Sequence, residues 1–455
     1  MELPVAFEAR MKELLKTEYD AFYTALCTEN AVKGLRVNTH KVATDVFCKH
    51  APFSLTPIPY AKNGFIVSDD AQAGKHPYHH AGAYYMQDPG AMATVAAIPA
   101  TLWARNRLKV LDLCAAPGGK TTQLAALCER GGGAVLANEY NAARSRILAG
   151  NVERMGLSNV LVTNTDSQHI AAWYPSFFDL VLVDAPCSGE GMYRKSDQAV
   201  LEWSPENVSA CAVRQREILA NAAQCVAEEG YLLYSTCTYS TEENEKVVAN
   251  FLEAHPAFRL CSCRAEVVAC TADGIDVTGG KHPELALCRR FYPHRSPGEG
   301  QFIALLQRSG NDGRGGATVK DAFGTLAKNE LAVVNSFLRE TLGHTPLGLG
   351  RLGGNVVSFP AHETLGLPVP PFGTVAAGVT VGEVRKDRIV PHHHFFTAYG
   401  GDFSAKLCLD ADADTVMRYL AGEELPVPAE LGGFCAVLLA IGDTAITLGG
   451  GKAVG

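Results

Sequence analysis

Leu108-Lys109-Val110-Leu111-Asp112-Leu113-Cys114 runs straight into Ala115-Ala116-Pro117-Gly118-Gly119-Lys120-Thr121. The first seven residues read as a buried strand and Thr121 to Glu129 as a helix, which leaves a loop of small residues and glycines between them. Such a loop lets a ligand approach the backbone closely, and the free N–H groups of the helix start point at it. The alternation continues outward. Ala134 to Asn138 is a strand, Ala142 to Met155 a helix, Val160 to Val162 a strand, and Phe178 to Val183 (FDLVLV) another. A long helix over about Pro205 to Ala227 leads to the strand Gly230 to Tyr234 (GYLLY). A helix then begins at Thr241, capped by Glu243 and Glu245, and Gln301 to Gln307 gives a closing strand. This pattern predicts an α/β fold, a doubly wound parallel sheet with helices on both faces.

The loop after the first strand is not a phosphate cradle. A P-loop needs Gly at 114, where this chain has Cys, and Pro117 removes an N–H. The dinucleotide pattern G-x-G-x-x-G is absent. What remains suits a ligand without phosphates, such as S-adenosylmethionine, held by Cys114, Ala115, Ala116, Pro117, Gly118, Gly119 and Lys120. Glu139, ending the second strand, is placed to accept from ribose hydroxyls. Asp166, past the third strand, borders the adenine, and Arg144 and Asp184 complete the candidate cofactor set.

Two further strings carry chemistry. Asp184-Ala185-Pro186-Cys187-Ser188-Gly189 and Tyr234-Ser235-Thr236-Cys237-Thr238 each follow a strand. Each therefore sets a cysteine at the carboxyl edge of the sheet, where ligands bind in open α/β folds.

Composition frames this reading. A chain of 455 residues is too long for one core. Its apolar runs are strand-sized, its N-terminus is no secretory signal because Glu2, Glu8, Arg10 and Lys12 interrupt it, and no membrane partner is expected. Fourteen cysteines without a CxxC pair point to a reducing cytoplasm. Neither Cys261-Ser262-Cys263 nor His392-His393-His394 has metal-ligand spacing, so no metal is expected. Net charge −8 and a pI near 6.0 argue against a broadly basic nucleic-acid surface. A narrow basic groove could still form from Lys33, Arg36, Lys41, Arg194, Lys195, Arg289, Arg290 and Arg295.

Together the strings CAAPGGKT, DAPCSG and STC, with Arg36-Val37-Asn38 and Tyr85-Met86-Gln87-Asp88-Pro89 upstream, resemble the NOL1/NOP2/Sun family of RNA cytosine-5 methyltransferases. The resemblance covers roughly residues 30–308. The remainder is similar more loosely to the family's bacterial RsmF-like branch, through Arg388-Ile389-Val390-Pro391-His392-His393. It implies a Rossmann-like methyltransferase core over 96–308 that uses S-adenosylmethionine. An N-terminal RNA-binding segment over 1–95 would precede it, and a small α+β subdomain (318–395) and a PUA-like domain (396–455) would follow. Ser309 to Gly316, polar and Gly-rich, places the linker at 309–317. The end at Gly449 to Gly455 lacks a closing cap, so the last domain is expected to be truncated. Two strands are expected between Phe434 and Thr447.

The implied reaction is thiolate addition to C6 of cytosine, which makes C5 nucleophilic. Chemistry alone does not say which cysteine attacks. The resemblance makes Cys237 the nucleophile, Cys187 the group that assists release, and Asp184 the partner of the cytosine N3/N4 edge, able to act as an acid if burial raises its pKa. Lys120 either orients the site or caps its helix. The substrate is expected to be RNA, ribosomal rather than transfer RNA, bound by a monomer. Because every named cofactor residue precedes residue 317, removal of the later residues is expected to leave cofactor affinity intact.

Overall fold

The computed structural model describes residues 2–68, 71–310 and 315–454. Of the segment read as a linker, 311–314 lie outside the described residues, as does Gly455 at the chain end.

The chain opens with two helices, Val5–Leu15 and Tyr19–Cys27, joined by a 3₁₀ turn at Lys16–Glu18, where a single helix from Pro4 to Leu26 is the sequence expectation. Lys16 takes φ 50°, which no right-handed helix allows. The bend brings Phe7 and Met11 from one helix and Phe22 and Leu26 from the other onto a shared cluster with Tyr193, Trp203, Tyr239 and Tyr292. One straight helix could not bury both sets there. Next, β1 (Lys33–Val37), β2 (Leu55–Ile58), β3 (Ala61–Val67) and β4 (Tyr84–Met86) form an antiparallel sheet in the order β2-β3-β1-β4.

The central sheet holds β5 (Lys109–Asp112), β6 (Ala134–Asn138), β7 (Val160–Thr163), β8 (Phe178–Asp184) and β9 (Val226–Thr236), parallel in the order β9-β8-β5-β6-β7. Helices cover both faces, which is why these strands read as unbroken apolar runs. Strand order reverses between β5 and β8, so their carboxyl ends open a crevice.

Beyond β9 the sheet turns antiparallel through β10 (Phe258–Cys261), β11 (Ala272–Asp273), β12 (Arg289–Phe291) and β13 (Gln301–Arg308). The sheet is thus mixed, with β13 antiparallel to β9, β10 and β12. The opposite edge is finished by a distant part of the chain. After the helix Lys328–Leu342 come β14 (Leu349–Leu352), β15 (Asn355–Ser358), β16 (Thr374–Ala377), β17 (Val379–Arg385) and β18 (Arg388–Pro391). Four of these make a separate sheet, β14-β15-β17-β18, but β16 pairs antiparallel with β7. Phe359, Leu367 and Val369 are buried in the central core with Leu111 and Val181. The cleft-bearing sheet therefore shares strand pairing and core with residues beyond 316.

The last sheet, β19 (Lys406–Leu409), β20 (Gly433–Ile441) and β21 (Thr444–Ala453), contains the two strands expected between Phe434 and Thr447. Its Leu409, Val437, Leu439 and Ile446 share a core with Leu35 and Val37 of the N-terminal sheet and Phe47 of the helix Thr44–His50. His394, buried, bonds the Leu157 carbonyl at 3.2 Å, and His392 caps the helix His393–Tyr399. These histidines dock the C-terminal part onto the central one. Among the described residues no helix is long and apolar enough to cross a membrane.

Candidate active site

At the end of β5 the chain leaves the sheet through Asp112 and re-enters a helix at Gly119, the turn being made by Gly118 at φ 111°. A side chain there would be strained whatever the space. The loop walls a cleft of about 180 Å³ lined by Asp112, Cys114 to Pro117, Gly119, Lys120 and Asp184. Its far wall is Tyr85 to Asp88 with Ala91, from β4 and the residues after it. Sequence reasoning saw that segment only as part of a resemblance. Arg36 joins the two walls. Its buried guanidinium donates to Gln87 Oε1 (2.8 Å), Gly119 O (3.1 Å) and Thr122 Oγ1 (2.7 Å).

Asp112, outside the expected site residues, also lines the cleft. It is 1% exposed, and burial pushes its carboxyl up to about 7. Thr121 Oγ1 donates to Oδ2 at 2.7 Å, while the buried Oδ1 has no partner within the protein. A buried carboxylate oxygen without a donor is costly unless a ligand supplies one. Burial likewise raises the Cys114 thiol. The signal available in the sequence was an acidic residue closing an apolar strand.

Glu139 and Asp166 stand beyond β6 and β7, next to the cleft and outside its lining. Glu139, 5% exposed, accepts from Asn141 N at 2.9 Å and lies 3.5 Å from Arg144 Nη1. Arg144 Nη2 also donates to Ala116 O at 2.7 Å, tying this corner to the loop. Asp166 caps the helix Ser167–Trp173 through His169 N (2.8 Å) and pairs with the His169 ring. Of the cofactor candidates it is the one most committed to a local structural bond.

The two cysteine strings converge. Cys187 Sγ and Cys237 Sγ are 3.3 Å apart, and the Cys187 thiol is pushed well up by its hydrogen bond to Cys237 and by burial. Beside them Asp184 accepts on both oxygens, from Lys120 Nζ (2.8 Å) and from Ser235 Oγ (2.6 Å). Burial disfavours the Lys120 ammonium, but the facing Asp184 holds its pKa above the ordinary lysine value. Lys120 thus bridges the loop after β5 to the end of β8, the orienting alternative of the two. The Asp184 side chain is 32% exposed and lines the cleft.

Beneath the thiols lie acids that the sequence reading gave to helix caps or passed over. Glu190, fully buried, accepts from Arg10 (2.5 Å), Trp203 Nε1 (2.8 Å) and Tyr239 N (3.0 Å). Glu243 is buried too, and its pKa is raised by that burial. The helix expected from Thr241 starts at Glu245, because Glu243 and Asn244 turn inward.

The narrow basic groove does not form as expected. Arg36, Arg194, Arg289 and Arg290 have buried side chains. Lys41 donates to the carbonyls of Ala81, Arg154 and Thr447, Lys195 pairs with Asp88, and Arg295 with Glu18. These cations hold the protein's own parts together.

Comparison with known proteins gives the same picture. Residues 99–307 match the model of the 16S rRNA methyltransferase RsmB/F family, and residues 3–89 that of the N-terminal domain of 16S rRNA methyltransferase RsmF. The chain is 39% identical over 321 residues to ribosomal RNA small subunit methyltransferase F of Vibrio cholerae, covering 68% of this chain and 64% of that one. It is 41% identical over 262 residues to the Escherichia coli protein of the same name, covering 56% and 54%. The chain thus spans less than two thirds of the length of these relatives. A solved methyltransferase homolog from Pyrococcus horikoshii superposes with TM-score 0.57 at 26% identity, over 67% of this chain and 94% of that one. The paired thiols and the glycine loop lie inside the span that matches the RsmB/F methyltransferase model, with the match to the RsmF N-terminal domain ahead of it in the chain.

Proposed function

We propose that this chain is a cytoplasmic, monomeric, S-adenosylmethionine-dependent RNA methyltransferase that forms 5-methylcytidine in small-subunit ribosomal RNA. The observation that carries the reading is the thiol pair, 3.3 Å apart at the ends of β8 and β9, beside an Asp184 that also lines the cleft. Cytosine C5 is a weak nucleophile. Addition of the Cys237 thiolate to C6 shifts electron density onto C5. Asp184, fixed by Lys120 and Ser235, accepts from the N3/N4 edge of a base extruded from its strand. Once C5 is methylated, loss of its proton restores the C5–C6 double bond as the Cys237 sulfur departs, and Cys187 assists that departure.

S-adenosylmethionine supplies the electrophilic methyl group when bound. The residues present fit it. Pro117 and Cys114 make a poor phosphate cradle, whereas the unpartnered Oδ1 of Asp112 and the buried Glu139 offer acceptors for ammonium and hydroxyl groups. Cys114 to Lys120 form the near wall, with Arg144 and Asp166 at its flank. Residues 1–95, and the α+β and PUA-like segments at 318–395 and 396–455, recognise RNA shape around the 96–308 core. The names of the relatives favour ribosomal over transfer RNA.

Bisulfite sequencing of RNA from cells with and without the gene tests this. One cytosine of the small-subunit RNA should lose its methyl group in the deletion. Loss from transfer RNA instead would overturn the substrate, and no loss at all would overturn the activity.

A further inference from the structure

Glu243, Asn244 and Glu245 are each 0% exposed. Three consecutive polar residues in an interior are costly unless each is matched. Each is matched to a different stretch of the site. Glu243 Oε1 accepts from Ser188 Oγ, and its Oε2 accepts from Ser188 N and Gln215 Nε2, both at 2.9 Å. Gln215 Nε2 also donates to Pro186 O at 3.0 Å. The residues on both sides of Cys187 therefore hang on one carboxylate.

Asn244 does the same for the other thiol. Its Oδ1 accepts from Thr236 Oγ1 (2.6 Å) and its Nδ2 donates to Thr238 O (2.9 Å), the two neighbours of Cys237. Ser188 Oγ and Thr238 Oγ1, 3.0 Å apart, close the ring between the loops. Glu245 anchors the segment from below through Arg290, which donates to Tyr239 O at 2.9 Å. Tyr234, ahead of Cys237 on β9, donates its hydroxyl to Glu243 O at 2.6 Å.

We infer that Glu243 and Asn244 are positioning residues that set the register of the two thiols, Glu243 acting on Cys187 and Asn244 on Cys237. The inference rests on the thiol roles proposed above. Two loops leaving neighbouring strands would otherwise drift by about 1 Å, enough to cost on the order of 100-fold in rate. Since the adjacent residues hold different thiols, their loss should produce different defects. Loss of Glu243 should impair release, and loss of Asn244 should impair attack.

The test uses the full chain, S-adenosylmethionine, and 16S ribosomal RNA from cells lacking the gene. Protein–RNA species are read on denaturing gels, with cofactor affinity and melting temperature alongside. Glu243→Ala should lower turnover about 10- to 100-fold while raising the trapped species several-fold over the unsubstituted chain. Glu243→Gln should recover most of that loss. Its carbonyl can take Ser188 N and Gln215, and its amide can donate to a Ser188 hydroxyl turned toward Thr238. Asn244→Ala should lower turnover without trapping RNA. If Glu243→Ala does not fold, Ser188→Ala poses the same question, because it removes one arm of the clamp and leaves the carboxylate buried. Slower turnover in Glu243→Ala or Ser188→Ala without trapping, where Cys187→Ala does trap, would overturn the clamp. If Cys187→Ala itself traps nothing, the thiol roles fail first.

Discussion

The half of the central sheet that carries β5, β6 and β7 and the half that carries β8 and β9 are finished in opposite ways. In the first, a buried Asp112 oxygen has no partner, the cleft is walled by residues from β4, and the sheet is edged by β16. In the second, Glu190, Glu243 and Glu245 each accept on both carboxylate oxygens, and the two thiols touch. One half is open to a ligand, and the other is locked before any ligand arrives. That difference suits a reaction in which the cofactor exchanges every cycle while the nucleophile keeps one geometry.

The largest break in this contrast is removal of residues 315–455. It strips β16 from β7 and exposes the faces that Phe359, Leu367 and Val369 cover. Each such side chain contributes about 1.5–3 kcal/mol, against a total stability of about 5–15 kcal/mol for a domain. The truncated chain should lose its cooperative melting transition and its S-adenosylmethionine binding together. Retained tight binding by calorimetry would mean that the cleft half stands alone after all.

A smaller effect should come from Asp112, and its sign follows from burial. The folded chain holds a proton on Asp112 up to about pH 7, whereas an unfolded aspartate releases it near pH 4. Without ligand, the stability due to this group is therefore full below about pH 4 and is lost as pH rises through 7, on the order of 4 kcal/mol in all. Asp112→Asn should flatten that slope in melting curves taken from pH 5 to 8, and weaken S-adenosylmethionine about tenfold. An unchanged slope would show that Oδ1 is not the strained group. Smallest, Glu139→Ala should cost roughly 1–3 kcal/mol of cofactor affinity, read by titration calorimetry. Affinity equal to the unsubstituted chain would leave Glu139 with only its bond to Asn141.

The same contrast explains what could be read from the sequence. Loop and strand in LKVLDLCAAPGGKT are contiguous, so period and glycines locate them without tertiary help. Ala134–Asn138 and Ala142–Met155 have the limits their patterns predict. Cys187 and Cys237 could be set at strand ends for the same reason. Their support could not be seen, because an acid that caps a helix and an acid that turns inward have the same letter. The pattern predicts a cap at Glu243, which is a buried hub. Arg36 and Arg290, cations that suit a groove by sequence, are interior donors. β16 adds to the sheet across more than 200 residues of chain from β7, a pairing no local period encodes.

The proposed division of labour gives attack to Cys237 and release to Cys187. Incubating Cys187→Ala and Cys237→Ala chains with S-adenosylmethionine and 16S ribosomal RNA from gene-deleted cells, then resolving them on a denaturing gel, tests it most directly. Cys187→Ala should leave a protein–RNA species that survives denaturation, and Cys237→Ala should leave none and transfer no methyl group. RNA trapped by Cys237→Ala while Cys187→Ala turns over freely would contradict the assignment.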